Sequence, residues 1–185
     1  MKRGFKAEAT RKSIALREKL KVKHNEALDC FQLAKSIKIP AFPVDKLNEF
    51  GFSTEQIETI CYAKGKQQFS ATTIFTPSGY LILYNQTHSF TRTNSSLAHE
   101  VSHVILKHEF SSISEMKMIS REFDKEKEDE ANWLAGCLLL PEKGLIWALK
   151  RKMSIQMIAN HFNISRQMTQ WRYNVTGMYR RSKYF

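Results

Sequence analysis

The chain has 185 residues, 42% of them hydrophobic, with 29 Lys and Arg against 18 Asp and Glu and a formal net charge of +11. That length and composition suit one globular core with a small appendage, and they exclude a low-complexity chain. No run of 18 or more apolar residues occurs, so no transmembrane helix is expected. No apolar stretch follows the basic opening Met1-Lys2-Arg3, so no secretory signal is expected either. The expected location is the cytoplasm.

The charge is unevenly placed. Acidic residues concentrate between Glu115 and Glu130, and none follows Glu142, while that tail carries Lys150, Arg151, Lys152, Arg166, Arg172, Arg180 and Arg181 among its cations. Basic ends suit an acidic partner, either nucleic acid or a protein that handles it, and they equally suit a solvated surface. Cys30, Cys61 and Cys137 are far apart and include no CxxC pair. They read as buried reduced thiols, with no disulfide framework and no cysteine zinc site.

In chain order, residues 6 to 21 predict a helix rich in Ala, Lys, Arg and Leu, and residues 26 to 37 a second one. Pro40 and Pro43 mark a linker. Ser53-Thr54-Glu55-Gln56 is a capping-box pattern that opens a short helix. Phe69 to Phe75 and the apolar run Tyr80 to Tyr84, with Pro77-Ser78-Gly79 between them, predict a β-hairpin. Asn85 to Asn94 reads as a polar loop. Asn94 or Ser95 then caps a helix that runs to about His108. Further helices are predicted from Lys125 to Leu140, where Pro141 stops the run, and from Lys143 to Lys152. From Ser154 the chain has a helix-turn-helix rhythm with a break near Asn163. The expected class is α+β, with a small sheet and several helices.

The chemistry concentrates in His99-Glu100-Val101-Ser102-His103. Four-residue spacing on a helix puts both imidazoles on one face, where they can hold one zinc ion. Glu100 lies about 100° round the helix from His99, beside the metal, where a carboxylate can take a proton from water and return it to a leaving amine. A catalytic zinc needs a third protein ligand. The extended HExxHxxGxxH pattern is absent, because Leu106 and Glu109 occupy its last two defining positions. The acidic stretch from Glu126 to Glu130 is the best source. Glu128 shares the inward face of Ala131 and Ala135 and is the first choice; Glu130 is second. His108 is expected on the side of the helix away from His99 and His103, at the surface or behind the ligands. His24, His88 and His161 read as structural.

Ser96 to His108, Glu128 to Ala135 and Leu138-Leu139-Leu140-Pro141 resemble the ImmA/IrrE family of metallopeptidases. Gly4 to Ala9 and Ile164 to Gly177 resemble the start and end of one branch of it. Ser102 stands where that family commonly has Gly, which bears on packing against a neighbouring strand, and Trp133 stands where Phe is common. The resemblance implies a zincin-like fold, zinc held by His99, His103 and Glu128, and Glu100 as general base. It also implies a bacterial or phage-borne protein whose substrate is a helix-turn-helix repressor of stress-response or mobile-element genes.

The expected division is an N-terminal helical segment over 1–45, a zincin-like peptidase core over 46–152 and a basic helix-turn-helix-like segment over 153–185. The expected function is a gluzincin-like zinc endopeptidase. The alternative is a DNA-binding regulator with a structural or residual zinc site, contacting nucleic acid through the C-terminal segment.

Overall fold

The computed structural model describes residues 1–51, 53–61, 69–76, 79–108 and 124–181. Helix α1, Phe5–Lys19, buries Phe5, Ala9, Ser13 and Arg17. The four-residue recurrence makes one stripe, which lies on α5, Lys125–Leu139. Helix α2 is shorter than predicted and covers Cys30–Ser36. Asp29 caps it by accepting from the backbone N–H of Phe31 and Gln32. The chain before Asp29 cannot join the helix, because the Arg17 guanidinium holds the carbonyls of Lys23 and Glu26 in a turn.

The predicted linker at Pro40 and Pro43 is in part a strand. Ala41–Pro43 forms β1, which runs parallel to β3, Gly79–Tyr84, with Ala41 opposite Ile82. An edge position tolerates proline because one side of the strand needs no N–H donor. A 3₁₀ turn over Val44–Phe50 and helix α3, Thr54–Cys61, follow. The capping box at the start of α3 is formed: Gln56 N–H donates to Ser53 Oγ at 3.2 Å, and Ser53 N–H donates to Gln56 Oε1 at 2.8 Å. Strand β2, Ala71–Thr76, pairs antiparallel with β3, so the sheet order is β1-β3-β2. Pro77 and Ser78, in the predicted hairpin turn, lie outside the described residues. The central place of β3 accounts for its unbroken apolar run.

Helix α4, Phe90–Ile105, starts earlier than predicted, after Ser89. Asn94 and Ser95 do not cap it, since their side chains tie elements together. Buried Asn94 accepts from Cys30 N–H at 2.8 Å and donates to the carbonyls of Leu28 and Asn163, both at 3.0 Å. Ser95 Oγ accepts from Ser165 N–H at 2.9 Å. Helix α4 lies between the sheet and α5. The chain then forms α6 (Glu142–Lys150), α7 (Ile155–His161), α8 (Arg166–Val175) and α9 (Met178–Arg181). Ser154 and Ser165 cap α7 and α8, and Asn163, at φ 54°, turns the chain between them.

One buried cluster runs from Phe5 and Ala9 through Leu97, Val101, Leu134 and Leu138 to Ile158, Phe162 and Met178. Two buried arginines fix the end of α5. Arg17 Nη1 donates to Leu138 O at 2.6 Å and Arg172 Nε to Leu140 O at 3.1 Å, where the helix dipole is negative. Burial lowers the Arg17 pKa to about 10. No helix among the described residues is long and apolar enough to cross a membrane.

Candidate metal centre

The sequence places His99 and His103 on the last two turns of α4, and the packing of α5 against α4 brings Glu128 to them. His99 Nε2 and His103 Nε2 are 3.0 Å apart. Glu128 Oε2 lies 3.1 Å from His99 Nε2, and its Oε1 lies 3.4 Å from His103 Nε2. The potential ligand atoms of the three residues fall within 4.8 Å of one another, the one such metal-competent grouping among the described residues. Hydrogen bonds with His103 and His99 hold the Glu128 carboxyl well below the usual carboxylate range, against the opposing effect of burial.

Two nitrogens and one carboxylate converging on one point fit a divalent metal with an open fourth position. The remote ring nitrogens fit it too. His99 Nδ1 is 3.1 Å from Asn132 Oδ1, an acceptor, so Nδ1 keeps its proton and Nε2 offers a lone pair to a metal that displaces the proton it shares with Glu128. Asn132 follows Glu128 by four residues on α5, hence on the same face.

His103 is supported by His108, which is not on the side of the helix that sequence periodicity predicts. Helix α4 ends at Ile105, and Lys107 takes a left-handed φ of 58°. His108 N–H then bonds to His103 O and Lys107 N–H to Val104 O, both at 3.0 Å, a Schellman closure. The chain folds back, and His108 Nδ1 sits 2.9 Å from His103 Nδ1. Glu130 Oε2 lies 3.5 Å from the other His108 nitrogen. Burial, and then the neighbouring His103, push the His108 pKa down. The second-choice carboxylate, Glu130, thus faces His108 and is not in the trio.

Glu100 lies beside the trio and is buried. Its Oε2 accepts from Thr73 Oγ1 on β2 at 2.7 Å. Sequence reasoning missed Thr73, because nothing local links a strand threonine to a helix 27 residues away. Ser102, the substituted glycine position, is fully buried, and its hydroxyl donates within α4 to Ala98 O at 2.7 Å. Trp133 lies against Lys6 Nζ and the Arg172 guanidinium, 4.1 and 5.3 Å from its ring. A cleft of about 970 Å³ opens beside His99, Glu100, Glu128 and Asn132.

The sequence model of the M78 peptidase family, described as the IrrE N-terminal-like domain, matches residues 50–174, about two thirds of the chain. No curated protein matches the sequence.

Proposed function

The chain belongs to the M78 family of IrrE-type metallopeptidases, and from that premise we propose that it is a zinc-dependent endopeptidase that cleaves a helix-turn-helix transcriptional repressor. The single observation that carries the reading is the convergence of His99, His103 and Glu128 with a buried Glu100 beside them.

In this reading His99, His103 and Glu128 hold the metal. Bound there, zinc would polarise the scissile carbonyl and lower the pKa of water to about 7. Glu100 takes the proton of the attacking water and delivers it to the leaving amine. Thr73 positions that carboxylate by donating to Oε2. Asn132 and His108 keep the two imidazoles in the ligating tautomer. The outer edge of β2 has no partner strand among the described residues. An extended substrate segment pairing there would gain main-chain hydrogen bonds with few side-chain demands.

The choice of a repressor as substrate rests on the family and not on the ligand geometry. A cytoplasmic site of action follows from that substrate. Glu100→Gln is the test: the variant should keep its zinc and lose both repressor cleavage and the accompanying derepression. Full derepression by a zinc-loaded Glu100→Gln protein would overturn the enzyme reading in favour of a DNA-binding regulator with a structural zinc.

A further inference from the structure

The cleft has two unlike walls. One is α4 with the Ser70–Ala71 end of β2; the other is the C-terminal helical pair, through Gln156 and Asn160 of α7 and Arg166 and Gln167 of α8. Two hydrogen bonds with the helix that carries His99 hold that second wall in place: Asn94 Nδ2 donates to Asn163 O, and Ser95 Oγ accepts from Ser165 N–H. A helix-turn-helix that reads DNA must present the start of its second helix to the major groove. Here that end borders the cavity that His99 and Glu128 of the metal trio line.

The charges on the cavity lining are equal in number but divided in place. Among the described residues its carboxylates are Glu100 and Glu128, both belonging to the metal centre, and its guanidiniums are Arg92 and Arg166. Both arginines are exposed. Arg92 Nη2 donates to Ser70 Oγ at 3.1 Å, which holds it over the start of β2. Arg166 occupies the first turn of α8, where the helix dipole adds positive potential. Hydroxyls and amides supply much of the remaining lining, among them Ser89, Thr91 and Ser96.

We propose that this cleft takes an extended peptide segment bearing an acidic side chain close to the scissile bond, and that Arg92 and Arg166 read that side chain. The C-terminal helical pair is then a substrate-reading wall. The inference rests on the peptidase reading for the word scissile, but the charge preference can be measured by binding alone.

The experiment uses the full chain as the zinc-loaded Glu100→Gln variant and short fluorescent peptides that alternate Ala with Glu, Gln or Lys. Fluorescence anisotropy should show the Glu peptide binding about tenfold tighter than the Gln peptide, as two partly solvated ion pairs would give. Adding Arg92→Glu or Arg166→Glu should each remove most of that preference, and the pair together should favour the Lys peptide. Arg11→Glu, on α1 outside the cavity, changes net charge equally and should leave the preference nearly intact. Equal or undetectable binding of the Glu and Gln peptides overturns the proposal, as does an Arg11→Glu loss as large as that of Arg166→Glu. A labelled DNA duplex that binds more tightly than the Glu peptide and depends on Arg166 also overturns it, assigning the wall to nucleic acid. Selective peptide binding by a wild-type protein that cleaves no repressor would sink the peptidase reading and leave the charge preference standing.

Discussion

Thr73 Oγ1 donates a 2.7 Å hydrogen bond to Glu100 Oε2, so a strand packed against α4 orients the carboxylate on that helix. Both side chains are buried, and little water can replace the bond. A hydrogen bond to a charged group contributes about 1.5–3 kcal/mol, so Thr73→Val should lower kcat/KM on a repressor substrate by about 10- to 100-fold. Zinc content should stay unchanged, because Thr73 touches no member of the trio. Steady-state kinetics with metal analysis checks this, and loss of zinc in the variant would contradict it.

His108 supports His103 from behind, with Glu130 behind it in turn. Outer-shell partners of this kind typically contribute about 10- to 100-fold to metal affinity. His108→Phe should therefore weaken zinc binding by that factor in a chelator competition. Glu130→Gln, acting one contact further out, should do less.

Acid should destabilise the metal-free protein in two steps. The folded-state pKa of His108 lies below its ordinary value of 6.5, so below that pH the unfolded chain binds the proton and the folded chain does not. Stability is then lost as pH falls from 6.5 toward the folded value. The depressed pKa of Glu128 adds a contribution present above its ordinary 4.5 and lost as pH falls below that. Melting temperature measured against pH should decline below 6.5 in the wild type, and His108→Phe should flatten that upper part of the curve.

Asn94 joins α4 to the chain before α2 and to the turn between α7 and α8. Asn94→Ala leaves three backbone groups without their partner in a buried place, at a cost of about 3 kcal/mol. Urea denaturation should show that loss as a lower midpoint.

Gly144 lies on α6 close to the backbone of His24. A Cβ there would sit 2.2 Å from His24 O. The helix propensity gained by Gly144→Ala, about 1 kcal/mol, is outweighed by that clash, since overpacking costs about 1–3 kcal/mol and a backbone carbonyl cannot swing aside. The variant should melt below the wild type, and a higher melting temperature would refute the close approach.

The parts of this protein that the sequence by itself determined are those that one helix can express. On a helix the His99-to-His103 spacing is one turn, and the apolar residues around it mark a helix, so the shared face of the two imidazoles was legible at once. The face of Glu128 followed from the period of Ala131 and Ala135, and Asn132 was within reach of the same argument. The capping box at Ser53 and the unbroken apolar run of β3 were equally local. Tertiary structure decided the rest. His108 depended on where α4 ends, and a left-handed Lys107 reversed the face that periodicity predicted. Asn94 and Ser95 carry strong capping chemistry, yet long-range partners engaged both and the helix began without them. Pro40 and Pro43 mark a linker by local rule, but an open sheet edge drew Ala41–Pro43 into a strand. Thr73 against Glu100 and Arg166 across from His99 are meetings of segments far apart in the chain, set by packing of the whole core, and no period or motif encodes them.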